Sequence, residues 1–174
     1  MLAPTDFISE LVRLEHGPKD TDQIPGIGTV RFIVKCNADA ADVLAIAKTT
    51  MTVVSRVCAN GWDESLNLET LLPKRFVQAC AADMTRSEAD AWLAHWQQLS
   101  PEARAQEEKS RVWSLANWLH WMSPSERTWL WWDAVILDKN YVVVAVAVEE
   151  WPFPWGALSW LFRGCGALEV SPES

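Results

Sequence analysis

The chain reads as one α+β domain, and three patterns predict it. Tyr141–Val148 is apolar on both faces, as a sheet strand covered on two sides must be. Thr29–Cys36 alternates, with Val30, Phe32, Val34 and Cys36 on one face and Arg31, Ile33 and Lys35 on the other. Between them, apolar residues recur at helical spacing from Val43 to Val57. The predicted order is strand, helix, a block of helices, strand, strand, helix, strand. Without the block this is the split βαβ, ferredoxin-like order, in which the first and third strands are central.

The elements follow in chain order. Residues 1–28 are expected to form an N-terminal extension with a short amphipathic piece, Phe7–Leu14, ending in the loop Ile24-Pro25-Gly26-Ile27-Gly28. In an alternative α+β arrangement this segment adds a strand. After the Thr29–Cys36 strand, Asp39 offers an N-cap and Asn60-Gly61 closes the first helix. Residues 72–127 are the helical insertion. A first helix is expected from about Pro73 to Ala82. Thr85-Arg86-Ser87-Glu88 is a capping box opening a helix with Trp92, Trp96 and Leu99 on one stripe. Ser100-Pro101-Glu102 starts a helix predicted to run to Met122, solvated through Arg111 and buried beyond it. Ser123-Pro124-Ser125-Glu126 is read as another capping box that opens a turn or two of helix.

Trp129–Leu137 and Tyr141–Val148 form a hairpin around Asp138-Lys139-Asn140. A helix over Trp155–Arg163 ends at Gly164-Cys165-Gly166, and Ala167–Val170 supplies a short last strand before a flexible tail, residues 171–174. The small-residue face Tyr141, Val143, Ala145, Ala147 is expected to lie under the tryptophan-bearing inserted helices.

Composition narrows the function classes. Twelve residues are tryptophan, nine of them from Trp113 to Trp160. A chain so rich in indole must bury most of it, in its core or against a partner. Most of Trp113, Trp118, Trp121, Trp129, Trp131 and Trp132 are expected to fill the seam between insertion and sheet. Formal net charge is −8, and acids exceed bases in each third of the chain. No basic stripe is present to neutralise phosphates, which argues against nucleic acid and anionic membrane and favours a cationic partner. The four cysteines Cys36, Cys58, Cys80 and Cys165 show no paired spacing and read as buried thiols of a reducing compartment. Met1–Arg13 carries no secretory pattern, so a cytoplasmic location is expected.

No catalytic, metal or nucleotide motif stands out, so neither cofactor nor metal is expected. The Gly-x-Gly at Gly26–Gly28 precedes a strand, whereas a dinucleotide fingerprint follows one. Cys165 lies after a helix, away from the dipole end that would activate it. His95 and His120 stand among tryptophans and read as packing residues. Two acidic clusters beside an indole remain: Trp62, Asp63, Glu64 after the first helix, and Glu149, Glu150, Trp151 where the third strand ends. These six are the expected contacts to a protein partner. The leading expectation is a small acidic protein that occludes a basic partner, in the manner of bacterial toxin-immunity proteins. The alternatives are a ligand-binding domain or enzyme with a tryptophan-lined pocket, and a structural homo-oligomer, a homodimer being the simplest.

Overall fold

The computed structural model describes residues 1–174 throughout. Strands β1 (Gly28–Cys36), β2 (Trp129–Ile136), β3 (Tyr141–Val148) and β4 (Ala167–Pro172) form one antiparallel sheet in the order β2-β3-β1-β4. Seven α-helices accompany it: α1 (Pro4–His16), α2 (Ala40–Asn60), α3 (Lys74–Ala79), α4 (Arg86–Gln98), α5 (Pro101–Ser110), α6 (Leu115–Met122) and α7 (Gly156–Gly164). The protein is α+β, and its most apolar strand, β3, lies inside the sheet beside β1.

Register explains why the core sits on one face. Val142, Val144, Val146 and Val148 pair with Val34, Phe32, Val30 and Gly28, so the alternating apolar set of β1 and that of β3 share a side. Trp129 and Trp131 of β2 and Val170 of β4 extend it. Against it pack Val43, Ala47, Met51 and Val54 of α2 and Leu158, Leu161 and Phe162 of α7, all buried. The opposite face carries exposed Arg31 and Lys35. Its β3 residues Val143 and Ala147 are nevertheless buried. The segment between α1 and β1 reaches the end of that strand, where the Ile27 N–H donates to the Val148 carbonyl at 2.9 Å. Gly26 is required there: its φ is +70°, and a Cβ would stand 2.1 Å from the Val148 oxygen.

Residues 1–28 do not add a strand. Thirteen of them form α1, longer than the piece expected, because Pro4 at the first turn and Asp6 closing back on the Ala3 N–H extend the helix N-terminally. The helix packs along α2 and seals the outer edge of β2. Glu10 accepts the Trp131 N–H, and Arg13 Nε donates to the Trp131 carbonyl at 3.1 Å. Edge-strand groups that would otherwise lack partners are thereby satisfied. Glu10 also accepts from the Ser55 hydroxyl at 2.7 Å and pairs with Arg127, both carboxylate and guanidinium being wholly buried. Arg127 is further held over the Phe7 and Trp129 rings.

The insertion differs from expectation in three ways. The helix predicted from Pro101 to Met122 is broken, because Arg111–Ser114 is extended and Ala81 bridges to Ser114. Ser114 then caps α6, its hydroxyl accepting the Asn117 N–H. Ser123-Pro124-Ser125-Glu126 opens no helix; the Ser123 hydroxyl turns back to the His120 carbonyl and closes α6 instead. The small-residue face of β3 is not covered by the tryptophan-bearing helices: α3 and α6 pack on α7, and α4 and α5 contain no buried residue. At the other end of the chain, pairing continues past Val170. β4 reaches Pro172, and the Glu173 N–H still donates to the Arg31 carbonyl, so half of the expected tail is strand and a third residue is hydrogen-bonded to the sheet.

Candidate functional site

The arrangement of the insertion makes a cleft. Leaving the core at a neck where the Ala81 N–H donates to the Trp113 carbonyl (2.9 Å), the chain runs through α4 and α5 and returns. This hairpin stands beside α7 and the free edge of β4, leaving about 1090 Å³ between them. Five of the twelve tryptophans line the space: Trp92, Trp96, Trp113, Trp121 and Trp155. A concave apolar site with a few convergent polar groups is the usual form of a binding pocket.

Since no residue of α4 or α5 is fully buried, half-buried side chains must hold this wall. Arg104 lies over Trp96 (5.8 Å), Trp96 stacks on Trp92 (5.2 Å), and Arg111 lies over both Trp92 (4.5 Å) and Trp113 (5.6 Å). This cation–π ladder ties the hairpin to the buried Trp113. Its sequence signal is the Trp92/Trp96 spacing, which puts both indoles on one helix face; the arginines that complete it come from elsewhere. Arg104 also donates to the Trp96 and Gln97 carbonyls, closing α5 onto the end of α4. On the α7 side, Arg163 donates to the Arg111 carbonyl at 2.9 Å. Burial pulls the Arg163 pKa down, partly opposed by Glu108. Gly156 is a fixed point of the cleft floor, because a Cβ there would stand 2.9 Å from the Trp113 ring.

The charged part of the lining is mostly basic. Lys35, Lys109, Arg111 and Arg163 face the space against two acids, Glu108 and Glu169. The sign is opposite to that of the whole chain.

The six residues expected from sequence lie elsewhere, with one link to the cleft. Glu149 and Glu150 are exposed beyond the end of β3. Trp151 is 49% exposed and packs edge-on against Phe153, which lines the cleft. Trp62 is half-buried against the core, while Asp63 and Glu64 are exposed. Asp63 shapes its own loop. Its carboxylate accepts the Ser65 hydroxyl (2.7 Å) and N–H (2.8 Å), and these bonds lower its pKa. The antiparallel pairing and the direction of α2 bring both clusters to the same end of the sheet, yet no hydrogen bond, ion pair or ring contact joins them.

The remaining candidates are passive. Burial pushes the Cys165 thiol up to about 12 and the Cys58 thiol likewise to about 12, away from nucleophile behaviour. His95, expected to pack among tryptophans, is instead exposed and approaches Glu107 at 3.7 Å, whereas His120 packs edge-on against Trp121; neither lines the cleft. No group of His, Cys, Asp and Glu side chains is disposed to hold a metal ion. No helix is long and apolar enough to cross a membrane. Comparison with protein-family models, curated proteins and solved structures finds no match to this chain.

Proposed function

We propose that this protein acts by binding and that the tryptophan-lined cleft is its site. The observation that carries the reading is the cleft itself: about 1090 Å³, walled by five indoles and held open by the arginine–tryptophan ladder. Such a volume is slightly above the usual range for a small-molecule pocket. The test is a thermal-shift screen of small molecules against the wild-type protein and Trp121→Ala. Compounds that raise the melting temperature of the wild type alone support the reading. Equal shifts in both proteins would remove the cleft as the site.

A second reading keeps the acidic end as a protein-binding surface: Glu149, Glu150 and Trp151 with Trp62, Asp63 and Glu64 would engage a basic partner, as a toxin-immunity protein in the bacterial cytoplasm would. The exposed acids and half-exposed indole of the loop after β3 favour it, since exposed aromatics in a charged rim are common interface anchors. Charge reversal, E149K with E150K, is expected to release a captured basic protein and leave the melting temperature unchanged. If stability falls instead, these acids serve the fold.

For the architecture, we read the sheet as a ferredoxin-like, split βαβ arrangement that carries residues 72–127 as an insertion. Central β1 and β3, with α2 and α7 packed on one face, support this.

A further inference from the structure

Resting on the reading of the cleft as a binding site, we infer that its ligand is an organic anion with a compact apolar body. The walls supply the apolar half of this recognition, and the charge balance supplies the other. Of the two acids that line the space, Glu108 has its carboxylate beside the first residue of α7, 3.6 Å from where a Gly156 Cβ would stand, and its charge favours the protonated form of Arg163. Glu169 stands opposite Lys35 across the β1–β4 ladder. The four bases exceed these two acids by two, and none of the six takes part in an ion pair, so Lys109 and Arg111 are open to a ligand. Arg111 is held in place by two indole faces and cannot swing out to solvent without losing both. A fixed guanidinium with free N–H groups, beside a mobile ammonium and among apolar walls, fits a carboxylate, sulfonate or phosphate on an apolar scaffold.

The overall charge of −8 disfavours the approach of any anion, so uptake here depends on these local bases. A cationic ligand is disfavoured at the cleft for the same reason. The same cations also mean that chain-wide acidity does not describe this site.

The probe is anilinonaphthalene sulfonate, followed by energy transfer from tryptophan, with neutral phenylnaphthylamine as its uncharged counterpart. The expected result is one saturable site. The sulfonate binds about tenfold or more tightly than the neutral compound, a difference of about 1.4 kcal/mol. Lys109→Glu brings the sulfonate down to the level of the neutral compound, and Trp121→Ala weakens both. Each variant is checked by its melting curve; Lys109 is exposed, so its replacement leaves the fold intact. If the two probes bind alike and Lys109→Glu alters neither while Trp121→Ala weakens both, the anion inference is overturned and the cleft reading stands. If the sulfonate survives Trp121→Ala but is lost in Ile136→Thr, the dye occupies the exposed apolar end of β2, and both the inference and the cleft reading fall. Absence of binding by either probe has the same consequence for both.

Discussion

Glu10 shows how much one side chain can organise. Its carboxylate serves Arg127, the Ser55 hydroxyl and the Trp131 N–H at once, joining α1, α2, the approach to β2 and β2 itself. Removing one partner of a buried pair leaves the other charged and desolvated, so Arg127→Met or Glu10→Leu alone is expected to cost about 3–5 kcal/mol in urea denaturation. The double replacement should cost clearly less than the sum. Additivity would mean that the two groups act independently. The thiols give a second residue-scale prediction. Burial raises the pKa of Cys58 and Cys165 from 9.0 to about 12, so the folded protein retains protons that the unfolded chain loses. Their contribution is complete below pH 9 and declines as pH rises toward 12. Stability should therefore fall across that range, and C165A should fall less steeply; identical alkaline limbs would contradict the assignment.

At the scale of elements, the hairpin of α4 and α5 is separable from the core. It contributes no buried residue, and the neck at Ala81 and Ser114 closes the excursion. Replacing residues 82–110 by a short Gly/Ser linker is expected to shift the melting temperature only slightly while abolishing binding in the cleft. Unfolding of this deletion would show that the ladder stabilises the core. By contrast, Ser114→Ala removes the N-cap of α6, whose Trp118 and Met122 are buried, and should cost about 1 kcal/mol. The capping boxes illustrate what local sequence can specify. Thr85 and Glu88 form theirs as the spacing predicts. The equally well-spaced Ser123 and Glu126 do not, because Ser123 is already committed to ending α6. Local chemistry proposes both; the chain direction demanded by β2 selects one.

For the whole molecule, the charge lining the cleft is opposite in sign to that of the chain. Acids exceed bases overall and at the end beyond β3, while four bases face two acids in the cleft between α5, α7 and β4. Raising ionic strength from a low value to about 0.15 M should weaken sulfonate binding at the cleft but leave the neutral probe unaffected. It should also raise the melting temperature modestly by screening self-repulsion at a net charge of −8. Salt-independent binding of both probes would show that the lining charges are not used.

The α+β class, the four strands, and the burial of Trp113, Trp118, Trp129, Trp131, Cys36, Cys58 and Cys165 were legible from residues alone, whereas Cys80, also expected to be buried, is only partly so. Each depends on short-range periodicity or on the strong tendency of large apolar groups to leave water. The break between α5 and α6 was not legible, since Arg111–Ser114 is extended by pairing with Ala81, a partner thirty-odd residues away in sequence. Nor was the cleft. Trp92 and Trp96 look like a core stripe because the spacing of indoles is the same whether they meet a core, a pair of arginines or a ligand. Only the tertiary structure decides which surface stands opposite, and here it placed two arginines and an open space there.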